Sequence, residues 1–168
     1  MAIDGTKVKG SSFIEEAIGK GAVCVVVQEN TSCNASKKVL VISSPDTRYA
    51  LAMLADEFFG HPSGRLKVVG ITGTNGKTTI TYLIRSILHE VNFSSGIIGT
   101  INYSFKDKSI PAANTTPGPL ELQSLLTQMA DAGCHYCVME VSSHALDQKR
   151  VEGIDVKAAI FTNLTQDH

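Results

Sequence analysis

The stretch Gly73-Thr74-Asn75-Gly76-Lys77-Thr78-Thr79 constrains this chain more than any other. It follows an apolar run, Leu66 to Ile71, that reads as a buried strand, and it precedes a helical pattern from about Thr78 to His89. Strand, Gly-rich loop, Lys-Thr and helix is the layout of a phosphate-binding loop. Glycines let backbone N–H groups turn toward one point, the helix start adds partial positive charge, and Lys77 adds a full one. The Thr78 hydroxyl can ligate Mg²⁺. The strict pattern G-x-x-x-x-G-K-[ST] asks for glycine at position 71, where Ile71 stands, so this is a variant loop.

The rest of the chain alternates strands with helices. Ahead of the loop, Phe13 to Lys20 reads as a short helix with Phe13, Ile14, Ala17 and Ile18 on one face. Ala22–Val27 and Val39–Ile42 read as buried strands. A helix starts near Pro45 with Ser44 as N-cap and runs to about Phe59, with Tyr49, Ala52, Met53, Ala55, Phe58 and Phe59 facing inward. Gly60-His61-Pro62-Ser63-Gly64 marks a boundary between domains at 1–63 and 64–168. Beyond the loop helix come a strand over Ser95–Thr100, a hairpin from Ile101 to about Ile110 and an irregular stretch from Pro111 to Pro119. A helix follows over Leu120–Ala132, with Leu122, Leu125, Leu126 and Met129 as its apolar stripe and Gly133 at its C′ position. Buried strands over Tyr136–Met139 and Val156–Phe161 complete the pattern. The expectation is an α/β fold: a small N-terminal α/β domain, then a central domain with a mostly parallel sheet flanked by helices.

In such sheets ligands bind beyond the carboxyl ends of the strands. Three polar clusters fall there: the Gly73–Thr79 loop, Glu140 to His144, and Asn163 to His168. Glu140, at the end of an apolar strand, can hold Mg²⁺ opposite the loop, or it can cap the next helix. His144 fits the turn better than a substrate. Asn114-Thr115-Thr116 and Gln148-Lys149-Arg150 offer polar groups whose roles spacing alone leaves open. The four cysteines include Cys134-His135-Tyr136-Cys137, a C-x-x-C spacing with no second pair, and read as ordinary thiols.

Composition excludes several classes. With 15 basic and 16 acidic residues, nothing points to nucleic acid or a membrane surface. No apolar run approaches a membrane-spanning length, and the N-terminus lacks the shape of a signal peptide, so the cytoplasm is the expected compartment.

Four motifs, Gly73–Thr79, Asn114–Pro117, Met139–Leu146 and Phe161–His168, in this order and spacing, resemble the Mur ligases. Among them the likeness is to the type that adds the third amino acid to UDP-N-acetylmuramoyl-L-alanyl-D-glutamate. Ala2–Gly5, with Phe13-Ile14 and Ala17-Ile18, is similar to that family's N-terminal domain. The resemblance implies that ATP phosphorylates the D-glutamyl carboxylate and that the amine of a diamino acid attacks the acyl phosphate. It places ATP on Gly73, Thr74, Asn75, Gly76, Lys77, Thr78 and Thr79, with Lys77 acting catalytically. It puts Mg²⁺ on Thr78 and Glu140, and a second metal on His168. Asn114, Thr115, Thr116, Ser142, Gln148 and Arg150 match muramoyl-dipeptide contacts, and Thr6, Lys7 and Val8 match contacts to UDP. It implies a monomer and no nucleic-acid partner. The family's upstream uridine segment, its downstream carbamylated lysine and its C-terminal domain have no counterpart here, so the chain reads as a fragment with little turnover of its own. Two alternatives remain: a folylpolyglutamate or cyanophycin synthetase-like ligase, and a non-catalytic nucleotide-binding module.

Overall fold

The computed structural model describes residues 1–5, 8–33 and 38–165. The chain divides into two compact units, Met1–Leu51 and Ala52–His168. The division falls within the helix over Thr47–Phe58.

In the first unit a 3₁₀ turn over Gly10–Phe13 runs into α1 (Ile14–Gly19). Two parallel strands follow, β1 (Cys24–Gln28) and β2 (Leu40–Ser44), paired from Cys24↔Leu40 to Gln28↔Ser44. Ile14, Val25 and Val27 form a small core with Ile18 and Val39 against it, while Phe13 is exposed. The valine run of β1 is therefore buried only on alternate residues, as a sheet covered on one face requires. The expectation that β2 is buried fails: Leu40, Val41 and Ile42 are all exposed, because a two-stranded ribbon leaves them outside its one small core. The start of α2 (Thr47–Phe58) also differs. Asp46 rather than Ser44 caps it, its Oδ1 accepting from the amides of Arg48 (3.0 Å) and Tyr49 (2.9 Å). Ala52 and Ala55 are the buried residues of its expected inward face; Tyr49, Met53 and Phe58 are exposed.

The second unit is built on a six-stranded sheet in the order β6-β5-β4-β7-β3-β8. Its elements are β3 (Lys67–Thr72), α3 (Lys77–Glu90), β4 (Ser95–Ile98), β5 (Asn102–Phe105), β6 (Lys108–Pro111), α4 (Pro119–Asp131), β7 (Tyr136–Glu140), α5 (Ser143–Asp147) and β8 (Val156–Phe161). β4, β7, β3 and β8 run parallel, and the β5–β6 hairpin adds an antiparallel edge. β7 lies between β4 and β3, so residues 137–140 are buried throughout. The expected stripe of α4, Leu122, Leu125, Leu126 and Met129, packs on Val68, Ile98, Tyr103, Phe105, Cys137 and Met139. Strand alternation turns Val138 to the other face, where α3 contacts β4, β7 and β3. Gly133 closes α4 at φ +75°, with its N–H on Ala130 O and that of Cys134 on Met129 O, the paired bonds of a Schellman motif.

The expectation of a buried Val156–Phe161 strand also fails. Among the described residues β8 pairs with β3 alone, and Val156 and Phe161 are exposed, because a strand with one neighbour gains cover from that side only. Cys134 and Cys137 are free and buried in the α4 core, and burial pushes both thiols up and keeps them protonated. The C-x-x-C spacing thus fills core volume, as expected for ordinary thiols.

A polar tie holds the end of α2 to α4. The buried Asp56 carboxylate accepts from Gln123 Nε2 (3.1 Å) and meets His61 Nδ1 at 2.6 Å, while His61 Nε2 lies 3.2 Å from Glu57. The hydrogen bond to Asp56, and then its charge, hold the His61 pKa above the ordinary 6.5. A raised folded-state value means that protonated His61 contributes stability below the ordinary value, and that the contribution is lost as pH rises through the folded one. His61 sits at φ +53°, which asparagine tolerates, so His61→Asn removes the imidazole with little new strain. The melting-temperature gap between the wild type and His61→Asn is predicted to be larger near pH 5.5 than near pH 8.5. An equal gap at both would show that the ion pair is not formed.

Candidate functional site

The Gly73–Gly76 loop leaves β3 at its carboxyl end and enters α3 at Lys77. Gly73 has φ +127° and Gly76 φ +85°, conformations that L side chains rarely adopt. Gly76 is the N-cap of α3 and offers no side-chain acceptor to the amides of the first turn. Those amides, with the positive end of the helix, are suited to receive an anion. Lys77 curls over the loop, donating from Nζ to the carbonyls of Gly73 (2.6 Å) and Thr74 (2.9 Å).

The segment after β8 braces the loop. Asn163 O accepts from Thr74 N (3.0 Å), and Asn163 Oδ1 from Asn75 N (3.1 Å). Thr162 Oγ1 and Asn163 Nδ2 both donate to Asn75 O, at 2.7 and 3.2 Å. Thr165 N donates to Thr74 Oγ1 at 3.1 Å. The approach is close: a Cβ on Gly73 would lie 2.2 Å from Thr162 Oγ1 and 2.8 Å from Asn163 O.

Glu140 ends β7 beside the loop and is 1% exposed. Its Oε2 accepts from the hydroxyls of Thr78 (2.9 Å) and Thr100 (3.0 Å), and its Oε1 from the backbone N–H of Thr100 (3.0 Å). Among the described residues, no lysine, arginine or histidine pairs with it. A Cβ on Gly99 would lie 2.3 Å from Oε1, so glycine there lets the turn after β4 close on the carboxylate. Hydroxyls and one amide lessen the cost of burying this carboxylate, and a bound cation would lessen it further. Thr78 and Glu140 present adjacent hard oxygen donors, which fit Mg²⁺.

The Asn114–Thr116 segment is tied to the same strand end. Thr116 is buried; its Oγ1 donates to Glu140 O (2.9 Å) and accepts from Ser142 N (3.0 Å). Arg150 Nη1 donates to Thr116 O (2.8 Å), and Arg150 Nε and Nη2 donate to Gln148 Oε1 (3.1 and 2.7 Å). Ser142 caps α5 through Ala145 N. Tyr103 Oη donates to Asn114 O (2.6 Å), and burial pushes the phenol up. Thr115 Oγ1 lies 3.1 Å from Thr100 Oγ1. A cleft of about 290 Å³ results, lined by residues 74–79 with Thr100, Thr115, Glu140 and Ser142.

The structure thus gathers the loop, Thr115, Glu140 and Ser142 around one cleft, while Thr116, Gln148 and Arg150 form the hydrogen-bonded block behind it. Val8 belongs to the first unit and is exposed, its carbonyl accepting from Gly5 N. Thr6, Lys7 and His168 lie outside the described residues. Asn163 and Thr165 belong to the Asn163–His168 cluster expected at a strand end, whereas Thr100 and Thr162 are site residues that the sequence reading did not single out. Their position at strand ends was the available signal.

An anion-suited Gly-rich turn at the carboxyl edge of a parallel sheet, with a buried carboxylate beside it, places the chain among α/β proteins whose ligand sites lie at that edge. The comparisons make the class specific. A model of the Mur ligase middle domain matches residues 71–168, and one described as the Mur ligase family, catalytic domain, matches residues 1–59. The chain belongs to the Mur ligase family. UDP-N-acetylmuramoyl-L-alanyl-D-glutamate--2,6-diaminopimelate ligases of Clostridium perfringens and Geobacillus thermodenitrificans are 49% and 48% identical over all of this chain. The chain spans 34% of each of those relatives. A solved ligase of the same name aligns over 95% of this chain and 32% of its own, at TM-score 0.78 and 29% identity. The MurF ligase from Thermotoga maritima in complex with ADP aligns over 96% and 33%, at TM-score 0.59 and 25% identity.

Replacing Gly73 by alanine combines an unfavourable φ with the contact to Thr162 and Asn163. The variant is predicted to lose roughly 1–3 kcal/mol of stability in denaturant unfolding. A change within about 0.5 kcal/mol would show that the brace is not formed.

Proposed function

We propose that this chain is the substrate- and ATP-binding portion of an ATP-dependent amide-forming ligase. The parent enzyme adds the third amino acid, meso-diaminopimelate or L-lysine, to UDP-N-acetylmuramoyl-L-alanyl-D-glutamate in peptidoglycan synthesis. The names of the relatives above favour diaminopimelate. In this reading residues 1–63 recognise the UDP moiety, residues 64–168 bind ATP, and the protein is a cytoplasmic monomer.

The observation that carries the reading is the buried Glu140 carboxylate beside Thr78 at the end of the Gly73–Thr79 loop. First-turn amides and Lys77 receive the phosphates. Lys77 leaves the loop carbonyls and places its ammonium on the phosphoryl oxygens, where developing charge needs it. Thr78 and Glu140 would hold Mg²⁺, and His168 would ligate a second metal. The ion, when bound, offsets phosphate charge and fixes its orientation. Asn114, Thr115 and Ser142 face the muramoyl-dipeptide. Gln148, Arg150 and Thr116 keep that wall in place, and Thr6, Lys7 and Val8 meet UDP.

Isothermal titration of the 168-residue chain tests this. ATP with Mg²⁺ is predicted to bind, and UDP-N-acetylmuramoyl-L-alanyl-D-glutamate to bind independently of Lys77. Lys77→Ala is predicted to weaken ATP at least ten-fold, about 1.4 kcal/mol, at unchanged melting temperature. Absence of ATP binding, or equal affinity in the variant, would contradict the proposal.

A further inference from the structure

At the opposite, amino-terminal end of the same sheet lies a cavity of about 530 Å³. One length of β3 separates it from the loop, roughly 17 Å at the usual rise per residue. Its volume is within the range of small-molecule sites. Its position follows from strand starts: Lys67 opens β3, Tyr136 opens β7 and Lys157 is the second residue of β8. Arg65, Phe93 and His135 are also among the residues of the wall, which, among the described residues, includes three permanent cations and no carboxylate of its own.

Two features make the wall selective. The first is aromatic. The Phe93 ring meets His135 and Tyr136 edge-on, at centroid distances of 5.4 and 5.5 Å, and the residue is 41% exposed. The second is charge. Lys67 Nζ lies 5.3 Å from the centre of the Tyr136 ring, and no carboxylate partner accompanies it among the described residues. Arg65 and Lys157 are paired with Asp131 and Asp155, each at 2.5 Å, but these side chains are about half exposed. Exposed pairs of this kind contribute little, so an incoming dianion can exchange for the carboxylates. A cation beside flat apolar rings fits a ligand that is anionic at one end and planar at the other.

We propose that this cavity binds a phosphate carried on an aromatic ring, as a second ligand site distinct from the Gly73–Thr79 cleft. The phosphate lies against Lys67 with Lys157 and Arg65, and the ring against Phe93 and Tyr136.

The test is an NMR titration of the ¹⁵N-labelled 168-residue chain with phenyl phosphate, with inorganic phosphate and phenol as separate arms. Saturable shifts are expected at the amides of residues 65–67, 93–94 and 135–136. Inorganic phosphate and phenol are each expected to bind there at least ten-fold more weakly than phenyl phosphate. Lys67→Glu and Phe93→Ala are each expected to weaken phenyl phosphate at least five-fold. Lys157→Glu, on a half-exposed side chain, is expected to weaken it likewise and replaces Lys67→Glu if that variant does not fold. Shifts confined to residues 73–79, equal affinity for inorganic phosphate, or folded variants that bind as the wild type does would each overturn the proposal. Residue-resolved shifts separate this result from the fate of the ATP proposal.

Discussion

The Glu140 carboxylate is the interaction on which the rest of the second unit depends. It ends the central strand of the sheet, and three separate elements reach it. Thr78 comes from the first turn of α3, Thr100 from the turn after β4, and Thr116 from the loop before α4, through the Glu140 carbonyl. None of these pairs is close in sequence. A buried carboxylate held, among the described residues, by two hydroxyls and one amide costs more than an apolar side chain in its place. In the proposed function its position beside the Gly73–Thr79 loop gives the cost a purpose: the carboxylate would meet the cation that accompanies phosphate.

The loop and its brace follow the same logic. Lys77 is held by two loop carbonyls, which keep its ammonium near the turn. Asn163 donates and accepts at once, fixing both the amide and the carbonyl of Asn75. The turn is therefore shaped by a strand end that follows it by some ninety residues, as the pairings of Thr74 and Asn75 with Thr165 show. Parallel topology makes this possible, because it brings the carboxyl ends of β3, β7 and β8 to one edge. The amino ends gather at the other edge, and there the side chains are basic and aromatic instead.

What the sequence made legible was what short-range physics decides. The limits of α3 and α4 were readable to within about a residue, since apolar spacing, Gly76 and Gly133 mark them locally. The loop and Glu140 were readable from residue type and order. Burial of β2 and β8 was not: a β-branched run has the same appearance at a sheet edge as at its centre, and only pairing separates the two. Asp46 displaced Ser44 as the cap of α2 because either residue type can cap, and the turn geometry chose. Thr100 escaped notice because its role exists only once β4 lies beside β7. Thr116 stood out as a polar group in a loop, yet its oxygens are spent on Glu140, Ser142 and Arg150.

The central claim, that Glu140 and Thr78 form the cation-binding half of a nucleotide site, is tested most directly by the Mg²⁺ dependence of ATP affinity. Titration calorimetry on the wild type and Glu140→Gln, each with and without Mg²⁺, isolates the carboxylate charge while keeping the side chain's shape. The predicted result is an ATP affinity that rises with Mg²⁺ in the wild type, loses at least ten-fold of that gain in Glu140→Gln, and is equal in the two without the ion. The same Mg²⁺ gain in both proteins would contradict the account.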